Sequence, residues 1–213
     1  MIKLQRETSV AQVTDLLRSA ILHGELKPGT MLRQEELAAR IGVSRAPLRE
    51  AIKQLEGEGF VETSSYKGSY VASISSTEAL DILAVRELLE LDALGASVEN
   101  HTPDSIAECR DSIRLARQDA KRDENWFEHN WNFHRLLHLP ANRPYTLSMI
   151  HGCLRKAQLY TWVHGVTGSR LESCNEHERI VKAVEVHDLE KARQLLRKHL
   201  SGDFTRLRAE ASA

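Results

Sequence analysis

Aromatic residues make up only 5% of this 213-residue chain, and its three cysteines, Cys109, Cys153 and Cys174, are too few and too far apart for a disulfide framework. No CxxC occurs, which excludes the usual thiolate zinc site. A run of about 18 uncharged apolar residues is also missing, and the opening MIKLQRETS has no apolar segment of the signal-peptide type. These absences point to a cytoplasmic protein in a reducing compartment, with no membrane partner. Excess charge is lacking too. The net charge of −1 argues against a diffuse polybasic surface, so any contact with nucleic acid must be local. What is plentiful is apolar and charged residues, at 41% and 28%, enough to build one large core or two small ones.

The first seventy-odd residues carry a specific pattern. Val10, Val13, Leu16, Leu17, Ala20 and Ile21 form a helical stripe that ends at Gly24 and Pro28. Leu37, Ala38 and Ile41 make a shorter apolar face, closed by Gly42 at a position suited to a helix C-terminus. Ser44 is placed to cap the next helix, in which Pro47 is tolerated in the first turn. That helix buries Leu48, Ile52 and Leu55, while Arg45, Arg49 and Lys53 recur every four residues on another face. Two short strands follow, Phe60 to Thr63 and Ser69 to Ser73, around a turn tipped by Tyr66, Lys67 and Gly68. The pattern predicts a winged helix-turn-helix over residues 1–74.

The DNA major groove admits one helix, and side chains near its N-terminus reach base edges. Arg45 and Arg49 suit that task, because a guanidinium fork can hold guanine or a phosphate with two bonds. The alternative is that these cations simply solvate a surface helix, paired with acids such as Glu50. Charge does not decide, since residues 1–75 contain ten Lys/Arg against nine Asp/Glu.

The run LAARIGVSRAPLREAIKQLEGEGFVET, residues 37–63, resembles the DNA-binding signature of the GntR superfamily of bacterial transcription regulators. The resemblance implies operator DNA as a partner and a homodimer. It also implies contacts from Ser44, Arg45 and Arg49 and a wing tip at Lys67 and Gly68 that faces the minor groove. Some members of the FadR-related group carry a further DNA-contacting arginine where this chain has Glu35, and Arg33 is the nearest replacement.

Beyond residue 75 the strand signal disappears, and residues 75–213 read as an all-helical bundle of six to seven helices. Ser75 with Glu78 forms a capping-box pattern ahead of a helix whose apolar positions include Leu80, Leu83, Leu88, Leu91 and Leu94. Thr102-Pro103 and Asp123 mark the next two starts. Asn142 before Pro144 leads to a helix over about 143–164, Gly165 and Gly168 precede one over about 170–186, and His187-Asp188 opens the last.

Histidine is the conspicuous residue of this region. In EHNWNFHRLLHL, positions 130 and 134 differ by about 40° around a helix, whereas 129 and 134 lie about 140° apart. Asn130 and His134 therefore share an inward stripe. His177 and His199 each lie beside an apolar stripe on separate helices. Three imidazoles so placed suit a borderline divalent ion, with positions left for water or an anion. Taken singly, each is equally a hydrogen-bonded core residue. His129, His138, His151, His164 and His187 are read as surface or partial-core residues, with His138 the competitor to His134.

VRELLELDA, NWNFHRLLHLPANR and EHERIVKAVEVHDLEKARQLLRKHL are similar to elements of the FCD ligand-binding domain of FadR-type regulators. That resemblance implies a metal set falling on Asn130, His134, His177 and His199, with asparagine where the family has aspartate. A neutral amide oxygen favours Zn²⁺ or Ni²⁺ over Mn²⁺, or no metal at all. Arg86 would pair with the carboxylate of a small organic-acid effector. The chain is thus expected to be a regulator and not an enzyme. A metal-dependent hydrolase is the alternative from another class, though no HExxH or similar acid–base pairing accompanies the histidines; a metal-free or metal-sensing regulator of the same fold is another alternative.

Overall fold

The computed structural model describes residues 9–22, 24–66, 68–120, 126–163 and 169–211, with side chains left undescribed at 127, 162, 163 and 203–211. The chain divides into two compact units, Met1–Ser75 with Leu159–Gly165, and Ser76–Gln158 with Val166–Ala213.

The first unit begins with helix α1, Val10–Leu22, which buries Val13, Thr14, Leu17 and Ile21 at helical spacing. Val10 and Leu16, counted in the expected stripe, are exposed. Helix α2, Gln34–Ile41, stops at Gly42, whose φ of 73° is the left-handed cap that lets its N–H reach the Ala38 carbonyl. Three residues later helix α3, Arg45–Gly57, buries Leu48, Ala51, Ile52 and Leu55. Ser44 occupies its N-cap with extended backbone, but its hydroxyl makes no capping bond. Thr14 Oγ1 donates to Gln54 Oε1 at 3.1 Å, and Arg18 grips Glu58 at 2.8 Å, tying α1 to the α3 end. Strands β1, Val61–Ser64, and β2, Gly68–Val71, pair antiparallel with Val61 opposite Val71 and Ser64 opposite Gly68. One edge is extended by a segment that the sequence pattern left as loop: Leu32 N donates to Ser69 O at 2.8 Å, and Val71 N to Thr30 O at 2.9 Å. The wing is thereby anchored to the chain that enters α2.

The second unit is helical. Its helices are α4 Ser76–Ser97, α5 Pro103–Asp119, α6 Trp126–His138, α7 Pro144–Val163 as far as Gln158, α8 Arg170–Glu185 and α9 Leu189–Ala211, with short 3₁₀ turns after α4 and α6. The expected start at Asp123 lies outside the described residues. Thr102 and Ser105 form a reciprocal capping box at α5. Asn142 ends the second 3₁₀ turn with φ 53°, and Ser169 accepts from Glu172 N at α8. The core joins Leu94, Val98, Ile106, Ile113, Phe133, Leu137, Ile180, Val181, Val184, Leu196 and Leu200 from α4, the turn after it, α5, α6, α8 and α9. Helix α4 departs from its apolar reading. Leu88 is 72% exposed, while Arg86 and Glu90 are buried beside Leu83, Ala93 and Leu94.

Candidate functional site

Helices α6, α8 and α9 each bring one histidine to a common point inside the second unit. His134, His177 and His199 are all buried, and each offers a ring nitrogen within 4.8 Å of the other two. His177 Nε2 and His199 Nε2 are 3.2 Å apart. The His177 ring stacks on Phe133 at 3.8 Å, which fixes its plane. This is the convergence expected from the stripes on the three helices.

The second nitrogen of each ring defines what the first can do. His134 Nδ1 meets Glu90 Oε2 at 2.7 Å, and His199 Nδ1 meets Glu176 Oε2 at 2.8 Å. A carboxylate only accepts, so both Nδ1 atoms carry the proton and both Nε2 atoms present lone pairs inward. His177 Nδ1 is buried without a hydrogen-bond partner. Burial, reinforced by the neighbouring His199 and His134, pushes the His177 imidazole well below its usual value. Burial likewise lowers His134 to about 4 against the pull of Glu90. Both rings are therefore neutral near pH 7, the form that binds metal.

This donor set fits a divalent ion of the Zn²⁺ type. With a metal–nitrogen bond of about 2.0–2.1 Å, adjacent ligands stand roughly 3.0–3.4 Å apart, the range into which the His177–His199 separation falls. Two of the three rings have the carboxylate support typical of metal-ligating histidines. Asn130 is half-buried one turn before His134 on the same stripe.

Glu90 is the centre of the site's charge and was not singled out by sequence reasoning. It accepts from Arg86 Nε at 2.6 Å, from His134 and from His138 Nε2 at 3.0 Å. Burial would raise its pKa, but His134 and Arg86 outweigh that and hold it well below the usual carboxylate range. Its signal was present in the sequence: it stands four residues after Arg86, the spacing of a helical ion pair. His138, assigned to the surface or partial core, is fully buried on Glu90, and its Nδ1 has no partner. It is excluded from solvent because α6 continues its buried face through Leu136 and Leu137. Glu176 was also missed, since it precedes His177 in sequence yet supports His199. Arg86, predicted to face an effector, uses Nη2 to contact His134 Nε2 at 3.1 Å. His129 pairs with Asp119 at 3.0 Å, His151 stacks on Trp131 at 4.1 Å, and His187 contacts the Val98 carbonyl. His164 lies outside the described residues.

In the first unit, Arg45, Arg49 and Lys53 are exposed along α3. Each has an acidic neighbour: Arg45 pairs with Glu35, Arg49 lies 3.7 Å from Glu50, and Lys53 lies 3.1 Å from the same carboxylate. Arg33 pairs with Glu36 at 3.1 Å. Gly68 opens β2 with φ 73°, as the tight wing requires, whereas Lys67 lies outside the described residues.

A helix-turn-helix with a two-stranded wing, followed by a six-helix bundle, defines the class of winged-helix DNA-binding proteins with a C-terminal helical domain. The chain belongs to the GntR family: residues 9–71 match "Bacterial regulatory proteins, gntR family", and residues 81–202 match the FCD domain. It is 33% identical over 202 residues to an HTH-type transcriptional regulator in an unstable DNA locus of Streptomyces ambofaciens, covering 92% of this chain and 84% of that one. Over 128 residues it is 30% identical to the HTH-type transcriptional repressor RspR of Escherichia coli, covering 59% of this chain and 56% of that one. Among solved structures, E. coli McbR/YncC superposes with a TM-score of 0.73 at 22% identity, covering 99% of this chain and all of the other. A GntR regulator from Rhodococcus sp. RHA1 gives 0.68 at 22%, covering 94% and 98%. The matched family is one of bacterial regulatory proteins and the sequence relatives are named transcriptional regulators, not enzymes, which removes the hydrolase alternative. No helix among the described residues is long and apolar enough to cross a membrane.

Proposed function

We propose that this regulator binds operator DNA as a homodimer through Arg45 and Arg49 of α3, aided by Ser44, Arg33 and the wing at Lys67 and Gly68. Residues 1–74 form the DNA-binding domain in this reading, and 75–213 the sensing domain. A small carboxylate effector enters the helical domain beside a divalent ion, Zn²⁺ or Ni²⁺ ahead of Mn²⁺, held by His134, His177 and His199 with Asn130 next to them. The observation that carries this is the convergence of three buried imidazoles, two of them oriented by carboxylates. When bound, the metal supplies a Lewis-acidic seat for the carboxylate. The chain's own residues then select the ligand: Arg86 offers its Nη2 edge, and Glu90 anchors the guanidinium through Nε. Effector binding alters operator affinity by favouring one arrangement of the two winged domains over another.

Metal analysis of the purified protein beside His177→Ala tests the sensing half, and equal metal content in both would sink the ligand assignment. Operator retention by Arg45→Ala/Arg49→Ala across a salt series tests the DNA half. Unchanged affinity and salt slope would show that α3 is not the recognition helix.

A further inference from the structure

His134 has one lone pair and two claimants. Its Nδ1–H is committed to Glu90 at 2.7 Å, so the lone pair is on Nε2. Arg86 has only donors, so its Nη2 contact with Nε2 at 3.1 Å is an N–H group donating into that lone pair. A metal bound by His134 needs the same electrons from the same direction. The guanidinium is also a buried positive charge, which would stand against a dication where little solvent screens the two. At the other two ligands the Nε2 atoms face each other at 3.2 Å, so His177 Nε2–H donates to His199 Nε2, a contact that moving the His177 proton to its unpartnered Nδ1 removes without displacing any side chain.

We infer that Arg86 and a divalent ion are mutually exclusive occupants of the His134 lone pair, so that Arg86 sets the metal affinity of the site. This deepens the metal reading above and rests on it. Glu90 makes the exchange local. Its Oε1 keeps Arg86 Nε at 2.6 Å while its Oε2 fixes the His134 tautomer, so the Nη2 contact with His134 can open while Nε stays paired. The edge so released lies next to the metal seat and becomes a donor pair for a carboxylate. Arg86 is thus a cap in the metal-free protein and an anion-binding residue in the loaded one.

Arg86→Lys separates the two roles. Lysine keeps the positive charge, and its ammonium reaches about as far as Arg86 Cζ, one bond past Nε and one short of Nη2, close enough to keep Glu90 paired but short of His134. The full-length protein, stripped of metal by chelator dialysis, is titrated with Zn²⁺ against a chromogenic chelator as wild type, Arg86→Lys and His134→Ala. Arg86→Lys should bind Zn²⁺ about tenfold more tightly or better, and His134→Ala at least about tenfold more weakly. If His134→Ala weakens binding but Arg86→Lys fails to tighten it, the inference falls and the metal reading survives. If His134→Ala binds as wild type does, both fall. A second measurement uses wild type alone, in case the lysine variant does not fold: one equivalent of Zn²⁺ should shift the Arg86 Nη signals in ¹⁵N spectra and leave Nε in place. Nη signals unmoved by Zn²⁺ would overturn the inference.

Discussion

Neutralising Glu90 should cost the helical unit a large part of its stability. Glu90 is 0% and Arg86 3% exposed, and the carboxylate accepts from Arg86, His134 and His138 at 2.6, 2.7 and 3.0 Å. Glu90→Gln keeps the shape but takes the carboxylate away from a buried guanidinium and turns an amide N–H₂ toward groups that are themselves donors. Leaving a buried charge without its partner typically costs about 3–5 kcal/mol. Lost hydrogen bonds are part of that figure and are not added to it. Against a total of roughly 5–15 kcal/mol for a domain, the loss is large enough to measure without ambiguity. Urea unfolding followed by tryptophan fluorescence is the assay, since Trp126 and Trp131 lie on α6, the helix that carries His134 and His138. The double variant Arg86→Leu/Glu90→Leu removes both charges together. It should cost less than the sum of the two single leucine variants by about 2 kcal/mol or more. A Glu90→Gln loss below about 1 kcal/mol, or strict additivity in the cycle, would refute the view that this pair is a coupled core element.

Asn130→Asp should tighten Zn²⁺ binding, because a charged oxygen replaces a neutral one; equal affinity would place residue 130 beyond reach of the ion. Gly42→Ala should cost about 1 kcal/mol in urea unfolding, a purely conformational loss at φ 73° since open space surrounds the site, and an unchanged midpoint would deny the left-handed cap. Burial lowers His101, and burial with Arg155 nearby lowers His151 to about 4, so each is neutral when folded and takes up a proton first when unfolded. The His151 contribution is complete above about pH 6.5 and is lost as pH falls from there toward 4, so His151→Gln should flatten the dependence of stability on pH in that window. Glu35→Gln should strengthen DNA binding and steepen its salt dependence; no change in either would mean that the Arg45–Glu35 pair is irrelevant to DNA.

The helix boundaries were largely legible because capping chemistry is local. Gly42, Thr102-Pro103 and Asn142 each act on backbone groups within a few residues, and the helices end or begin beside them. The histidine convergence was legible for a similar reason, as each ring is on the inward stripe of its own helix. The short edge added by Thr30 and Leu32 was not, because strand pairing across forty residues leaves no periodic mark in so short a segment. Glu90 and His138 were missed through a rule that usually works: charged residues go outside and leucines inside. In α4 that order is reversed, with Leu88 facing solvent and Glu90 in the core. The reversal is possible only because Arg86, His134 and His138 satisfy the carboxylate from two helices, a fact of packing that one strand of sequence does not display.

Both proposed sites hold an arginine on a carboxylate before any ligand arrives, and the difference in burial decides how each can release it. Arg45 and Glu35 are mostly exposed, at 65% and 78%, and such a pair is worth about 0–1 kcal/mol in water. In the proposed DNA complex, phosphate or guanine would therefore take the guanidinium at little cost, the acid keeping the face nearly neutral until then. Arg86 and Glu90 are sealed from solvent, where breaking the pair would cost several times more. A ligand that had to pull Arg86 from Glu90 would spend most of its binding free energy doing so. In the proposed exchange the guanidinium is divided: Nε stays on Glu90, and the Nη2 contact with neutral His134 is the one given up. A reversible sensor needs such a step, because a bond to a neutral acceptor is cheap enough to trade and the retained ion pair returns the arginine to its place when the ligand leaves.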